Sequence, residues 1–370
     1  MVTANDRLSD ESLAHAIWIS RYSTGVASRM MKLLNDSDAE LTAQLLVAMD
    51  TLDADSFTVS RLESLLVSVR ALNHEAVQAM YVGLSAELQE LAKHEAGFQL
   101  SLFQFAIPDD VLALHPLVGI SPDAVYAAAM AQPFQGRLLS EWADNLEADR
   151  MTRISNTVRQ GFLLGDTTEQ IARKVRGHAN RGYQDGALQM SRTNAGSIAK
   201  TAVGHLASTA RQSFATANDD ILKGKQWLST LDSRTSKDCR IRDRLKYTLD
   251  GKPIGHKIPY LQGPGKIHFC CRSVETYILK SADELGIAVG QISDSSRASM
   301  DGQVPADTDY QGWFSRQSFT RQSQIVGETR ARLIRDGGMS PDEFYTDKGE
   351  WLTLDQLRER DEQAFRNAGI

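Results

Sequence analysis

Hydrophobic residues recur mostly at three- or four-residue spacing through residues 1–105, which places them along one face of each of several helices. The stripes are Trp18, Tyr22, Val26 and Met30; Leu41, Leu45, Ala48 and Leu52; Leu62, Leu65, Leu66, Val69 and Leu72; and Val77, Tyr81, Leu84, Leu88 and Leu91. A capping box at Ser37-x-x-Glu40 predicts that the second helix begins there. Such stripes usually form a core, so the pattern predicts an N-terminal helical bundle over residues 1–105.

Residues 106–159 combine a proline-rich connection with a long helix. Four prolines interrupt the connection, and one short helix is expected directly after Ser121. The hydrophobic pattern then predicts a long helix that ends near Gly165, because glycine readily adopts the left-handed conformation past a helix end. Asp166 with Glu169 predicts the cap of the helix that follows.

The residue pattern changes in the middle of the chain, where glycine and proline become frequent and short runs of β-forming residues appear. The change predicts a small α+β module over residues 160–285 in a chain that is otherwise mainly α. Residues 286–309 are polar and are predicted as a linker or an extended arm. Residues 310–370 are predicted to form a C-terminal helical segment, whose last helix is expected from the capping box Thr353-x-x-Gln356.

The composition is that of an ordinary globular protein, and it disfavours several classes of function. The 370 residues suffice for two or three domains. A net charge of −6 argues against a nucleic-acid coat held by bulk positive charge. Three cysteines are too few for a disulfide framework and favour a reducing compartment. The acidic N-terminal residues are unlike a signal peptide, and no run approaches the ~18 apolar residues of a membrane span.

All three cysteines lie in one segment, residues 227–272. Its side chains of the kinds that bind zinc in proteins include those of Asp232, Cys239, His268 and Cys271. A tetrahedral Zn²⁺ site with these ligands, or with His256 in place of Asp232, is one interpretation. The intervening connection has no helical pattern and must fold back if Trp227 and Ile267 share a core. We therefore expect Cys239, His268 and Cys271 to lie together.

Other interpretations of these residues remain open. Cys239 and Cys271 could form a disulfide in an oxidising environment, although the reducing cytosol disfavours one. The thiols could also simply be buried beside a hydrogen-bonded histidine, with Asp232 in a capping turn. Nucleophilic catalysis is disfavoured, because the sequence has no Walker loop, no His-Glu-x-x-His and no Gly-x-Ser-x-Gly.

Two basic runs offer contacts to phosphate. Their leading members are Arg173, Lys174 and Arg176 in the first run, and Arg240, Arg242 and Arg244 in the second. A charge run is usually a solvated face. If the protein lies against double-stranded DNA, both runs could touch phosphates without reading the base sequence.

The order of motifs after residue 226 resembles the head-morphogenesis, or minor head protein, family of tailed bacteriophages, often called phage Mu protein F-like. That family is expected to show Trp, Asp-x-x-Thr, Cys-x-x-Cys, Asp-Gly, and His followed by Cys-Arg-Cys. The residues that carry the resemblance here are Trp227, Asp232, Arg234, Thr235, Cys239, Asp250, Gly251, His268, Cys271 and Arg272. Ser236 and Ser273 stand where the family often has cysteine, so a four-thiol cluster is not available. The resemblance covers roughly residues 150–360.

The resemblance implies a minor head protein that acts in procapsid assembly by binding and placement rather than by turnover. Its implied partners are the portal protein, the scaffold and the major capsid protein, with packaged double-stranded DNA as a further contact. The implied location is the virion head, assembled in the cytoplasm of the host bacterium. The alternative from a different class is a metal- or Cys-dependent enzyme that acts on nucleic acid or on the host envelope after delivery.

Overall fold

The structure, a computed structural model, describes residues 3–50, 64, 66–281, 284–285, 296–299, 302–305 and 308–370. Within these residues the chain forms 13 α-helices, one four-stranded antiparallel sheet and one two-stranded sheet. The predicted fold class, mainly α with a small α+β module, is confirmed. In the described part of the chain, no helix has the length and apolarity that a membrane crossing requires.

Two long helices, α1 (Ala4–Asp50) and α2 (Val67–Ala106), account for most of the N-terminal region. The predicted helix start at Ser37 is wrong, because α1 continues through it. The Ser37 hydroxyl donates a hydrogen bond to the Leu33 carbonyl oxygen one turn earlier, which satisfies a serine inside a helix. Leu52, Leu62 and Leu65 of the predicted stripes lie outside the described residues.

Five helices follow in the middle of the chain: α3 (Asp109–Leu114), α4 (Pro122–Ala131), α5 (Leu139–Leu164), α6 (Thr168–Arg176) and α7 (Gln189–Ala217). The predicted end of α5 is confirmed, since Gly165 has a φ of 71°. The cap of α6 is Thr167, whose hydroxyl accepts a hydrogen bond from the Gln170 amide. The cap predicted at Asp166 was therefore misplaced by one residue; the Asp166 carboxylate instead pairs with Lys174.

The central sheet has the strand order β3-β2-β1-β4, with every neighbouring pair antiparallel. The strands are β1 (Leu222–Leu228), β2 (Lys246–Tyr247), β3 (Pro253–Ile254) and β4 (Val274–Leu279), and the short helix α8 (Lys237–Arg240) lies between β1 and β2. In the main pair, Trp227 of β1 lies opposite Glu275 of β4. Leu228 pairs with Val274, so the loop after β1 and the loop before β4 lie at the same end of this strand pair.

The C-terminal region contains helices α9 (Tyr310–Ser315), α10 (Phe319–Val326), α11 (Glu328–Arg335), α12 (Leu354–Arg360) and α13 (Glu362–Asn367). The predicted cap at Thr353 is confirmed by its hydrogen bond from the Gln356 amide. The predicted linker, residues 286–309, lies largely outside the described residues. Its described parts include β5 (Ser296–Ser299) and β6 (Gly302–Pro305), which pair with each other.

The chain divides into two compact units, each built from separate stretches of sequence. The first unit comprises Met1–Ile19, His94–Ser121 and Ala207–Ile370, and the second comprises Ser20–Lys93 and Pro122–Leu206. One core cluster of the first unit includes Leu8, Phe103, Phe214, Leu222 and Tyr277. The core of the second includes Leu41, Leu45, Val69, Ile154, Val158, Ile171 and Leu188. The sequence boundaries predicted for domains remain a prediction.

A candidate metal centre

A buried tryptophan and a serine form hydrogen bonds at the C-terminal end of β1. The Trp227 ring is fully buried, and its Nε1 donates to the Ser229 hydroxyl oxygen over 3.1 Å. The Ser229 hydroxyl in turn donates to the Cys239 carbonyl oxygen over 2.8 Å. Helix α8, which carries Cys239, is thereby tied to the end of β1.

Ser236 begins α8 and also faces the candidate histidine. Its hydroxyl oxygen accepts a hydrogen bond from the Cys239 amide over 3.2 Å, which is the usual role of serine at a helix N-cap. The same oxygen lies 2.8 Å from His268 Nε2. One turn of helix therefore brings both Ser236 and Cys239 to the same histidine nitrogen, at 2.8 Å and 3.3 Å.

The structure brings together Cys239, His268 and Cys271, whose ligand atoms all lie within 4.8 Å of one another. Cys239 Sγ lies 3.3 Å from His268 Nε2 and 3.6 Å from Cys271 Sγ. None of the three cysteines is disulfide-bonded in the structure, so the disulfide of the sequence analysis is not formed. The expected shared core is also present, with Ile267 packed against the cluster that contains Trp227.

The loop that carries His268 and Cys271 depends on unusual backbone conformations. Gly263 has a φ of +88°, and an added Cβ there would lie 2.6 Å from the Tyr260 hydroxyl oxygen. Cys270 has a φ of +55°, and the Cys271 amide donates to the His268 carbonyl oxygen over 3.3 Å, so the chain forms a tight turn between these two residues. Cys270 is partly exposed and is not part of the three-residue group, although it is the nearest neighbour of Cys271 in sequence.

The thiols and the imidazole shift each other's protonation. The hydrogen bond with Cys271, followed by burial, raises the pKa of Cys239, and the same hydrogen bond helps to lower the pKa of Cys271. Burial alone would lower the pKa of His268, but its interactions with Cys271 outweigh burial and raise it. The site therefore favours a thiolate on Cys271 beside an imidazole.

Asp232 and His256 were predicted as possible metal ligands, but neither belongs to the group of Cys239, His268 and Cys271. Asp232 forms a two-point ion pair with Arg272, in which Nη2 donates to Oδ1 over 2.9 Å, and it also accepts from the Thr235 hydroxyl over 3.0 Å. Burial raises the pKa of Asp232, but the hydrogen bonds and charge of Arg272 outweigh it and lower the pKa. His256 is bound at both nitrogens, to the Lys246 carbonyl oxygen and the Ile258 amide.

The predicted phosphate-binding residues have different environments. Arg173 is exposed, whereas Lys174 pairs with Asp166 and the guanidinium of Arg176 lies 4.2 Å from the centre of the Tyr183 ring. Of the second run, Arg240 lies over the rings of Tyr310 and Trp351, and Arg244 is half-buried. Arg242 does not fit the prediction of a phosphate contact, because its guanidinium is buried and donates to the carbonyl oxygens of Pro259 and Asp238.

A second group with metal-ligand side chains was not predicted from the sequence. It consists of His15, His94 and Glu95, in which His15 Nε2 lies 2.6 Å from a Glu95 carboxylate oxygen. The His15 ring also stacks on Phe98, with 3.6 Å between ring centres. The sequence separation of His15 and Glu95 is too large for any spacing signal to have revealed the pair.

Comparison with known proteins supports the resemblance carried by the motifs. Residues 152–276 match the family model described as phage Mu protein F like protein. No curated protein and no solved structure matches the chain. The matched segment begins within α5 and ends within β4, and it contains the complete Cys/His group. Through residues 152–276, about a third of its length, the chain is therefore similar to the phage Mu protein F-like family of head morphogenesis proteins.

Proposed function

We propose that this protein is a minor head protein of a tailed bacteriophage, which acts in procapsid assembly by binding the portal protein, the scaffold or the major capsid protein. The observation that carries the proposal is the family match over residues 152–276. The protein would be assembled in the cytoplasm of the host bacterium and remain in the virion head. Its role would be binding and placement without turnover, as the family assignment suggests.

The surface that we assign to partner binding lies at the end of α5, inside the matched segment. Leu163 and Leu164 are adjacent in sequence and are 81% and 74% exposed. Gly165 ends the helix directly after them. Substitution of two consecutive leucines that are this exposed should change the stability of the isolated protein little. Against a partner, however, both side chains would bury apolar surface.

The test uses full-length protein in phage particles. Wild type should be found in purified heads and in DNA-free procapsids, and the double variant Leu163→Asp, Leu164→Asp should fold normally yet be depleted from both. Val82→Asp is the matched control, because Val82 is 63% exposed but lies in α2, outside the matched segment. Mass spectrometry of the particles measures incorporation, and circular dichroism measures folding.

The two parts of the proposal fail in different ways. Absence of the wild-type protein from heads and procapsids contradicts the function itself. Normal incorporation of the double variant contradicts only the assigned surface. A chain that begins near residue 160 is a poorer test, because it lacks Leu8 and Phe103, which share a core cluster with Phe214.

Packaged DNA is a further proposed partner, bound without sequence specificity. Arg173 carries this part of the proposal, since it is exposed at the surface of α6. The buried Arg242 cannot contribute without unfolding of its surroundings. The contact should therefore be weak and should involve few phosphates.

One contact favours an alternative function, a metal- or Cys-dependent enzyme that acts on nucleic acid or on the host envelope. It is the approach of the Cys239 thiol to His268 Nε2, which places a ring nitrogen where it can accept the thiol proton. The alternative requires hydrolysis of DNA or of envelope material by the purified protein and its loss in Cys239→Ser. Hydrolysis that survives this substitution, or no hydrolysis by wild type, contradicts it.

A further inference from the structure

We propose that Cys239, His268 and Cys271 bind one Zn²⁺ ion, and that the fourth coordination position lies beside the Ser236 hydroxyl. The proposal concerns these side chains alone and does not depend on the function proposed above.

The first argument is the distances from Cys239 Sγ to the other two ligand atoms. Zinc bonds of about 2.3 Å to sulfur and about 2.0 to 2.1 Å to nitrogen, arranged tetrahedrally, separate two sulfurs by about 3.8 Å and a sulfur from a nitrogen by about 3.6 Å. The observed separations are 3.6 Å between the Sγ atoms of Cys239 and Cys271 and 3.3 Å between Cys239 Sγ and His268 Nε2. Each differs from the zinc value by no more than a few tenths of an ångström.

The second argument is the orientation of the histidine ring. His268 Nδ1 lies 2.9 Å from the Phe269 carbonyl oxygen. A carbonyl oxygen only accepts hydrogen bonds, so Nδ1 carries the proton in the neutral ring and Nε2 presents its lone pair. Nε2 is the nitrogen that faces both Cys239 and Ser236. Metal-binding histidines are commonly held in this way, with the other ring nitrogen donating to a carbonyl oxygen.

The third argument is charge and burial. Cys239 and Cys271 are only 1% and 9% exposed, and they pack in the cluster that contains Trp227 and Tyr260. Two thiolates in such a place would be costly without compensation, but two thiolates with one Zn²⁺ carry no net charge. The Gly265 amide donates to Cys271 Sγ over 3.4 Å, which is the kind of contact that stabilises a zinc-bound sulfur.

The fourth position is the feature that makes the site unusual. A structural zinc site is closed by four protein ligands, whereas three protein ligands leave a position for water. The Ser236 oxygen lies 2.8 Å from His268 Nε2, so it stands next to that position. A cysteine at residue 236 would start from the same backbone position at the N-cap of α8 and would offer a third sulfur.

The experiment measures metal binding by full-length protein purified under reducing conditions. Elemental analysis after zinc loading and removal of excess metal should give a single zinc per chain. Replacement by Co²⁺ should give the absorption of a thiolate-to-cobalt transition. Cys271→Ser and His268→Asn should lose the metal, while the matched control Cys270→Ser should keep it. Ser236→Cys should lose zinc to a chelator more slowly than wild type does.

Several outcomes would overturn the proposal. Wild type with three titratable thiols, no zinc after loading and no thiolate-to-cobalt absorption has no such site. A thiol count of one without bound metal assigns Cys239 and Cys271 to a disulfide instead. Equal zinc content in wild type and Cys271→Ser places the metal elsewhere. If Cys271→Ser fails to fold, the cobalt spectrum of wild type and the zinc release of Ser236→Cys still decide the question.

Discussion

Replacement of Asp38 by asparagine should strongly destabilise the second unit, because Asp38 lies between two buried arginines. One carboxylate oxygen is 2.5 Å from Arg150 Nη2, and the other is 2.5 Å from Arg192 Nη1. Asp38 and Arg150 are fully buried, and Arg192 is nearly so. Arg150 is also held by Asn73, whose side-chain oxygen accepts from Nε over 2.7 Å. Asparagine keeps the shape of Asp38 but removes the charge that both guanidinium groups face.

The expected loss of unfolding free energy is about 3–5 kcal/mol, since breaking a buried ion pair leaves an uncompensated charge in a medium of low polarity. The two arginines share one carboxylate, so the upper part of this range is expected. Burial also predicts that the loss is nearly independent of salt, because mobile ions screen buried charges poorly.

Urea unfolding monitored by circular dichroism measures this loss. Asp36→Asn is the matched control, because Asp36 lies on the same helix but its partner Lys32 and its own side chain are exposed. The control should change the free energy by no more than about 0.5 kcal/mol. Adding Arg150→Met to Asp38→Asn should recover part of the loss, since it removes one of the stranded charges. An Asp38→Asn protein within about 1 kcal/mol of wild type would refute the reasoning.

Three further predictions concern packing, pH and DNA. Gly161→Ala should lower the unfolding free energy by about 1–3 kcal/mol, because the added Cβ would lie 2.3 Å from Ile171 Cγ1. Gly97→Ala is the control: its added Cβ meets no atom within 4 Å, so it should stabilise its helix by up to about 1 kcal/mol. Equal effects on urea unfolding would contradict the packing argument. Burial, followed by nearby cations, lowers the pKa of Lys266 from 10.5 to about 8, so the unfolded state binds more protons between these values. The unfolding free energy of wild type should therefore rise relative to that of Lys266→Met by about 3 kcal/mol as pH increases through this window, and a constant difference would disprove the assignment. DNA binding measured by fluorescence anisotropy should be indifferent to base sequence, lost as salt rises and weakened by Arg173→Ala; binding that persists at high salt would contradict a phosphate contact.

The sequence predicted those parts of the fold that are encoded over short distances. Glycine past a helix end located the end of α5, and the Thr353 capping box located the start of α12. The Ser37 signal was misleading because serine, inside a helix, can bond the carbonyl oxygen one turn earlier. A cap motif therefore marks a helix start only where the hydrophobic stripe also changes.

The candidate site was predictable in part, for a related reason. The Gly/Pro-rich connection required the chain to fold back, which led to the expectation that Cys239 and Cys271 lie together. The partner of Asp232 could not be foreseen, because Arg272 is 40 residues away and equally plausible partners lie nearer in sequence. Likewise, a basic run does not reveal that Arg242 is buried while Arg240 and Arg244 are only half-buried, because short loops have no regular period of side-chain direction.

The interleaving of the two units has a consequence for how the protein is made. A ribosome completes the second unit when residue 206 emerges, but the first unit still lacks Ala207–Ile370 at that moment. Before Phe214 has been synthesised, Leu8 and Phe103 lack a residue with which they share a core cluster in the folded protein. The nascent chain thus carries exposed apolar surface while residues 207–370 are still being synthesised, and this period favours binding by ribosome-associated chaperones.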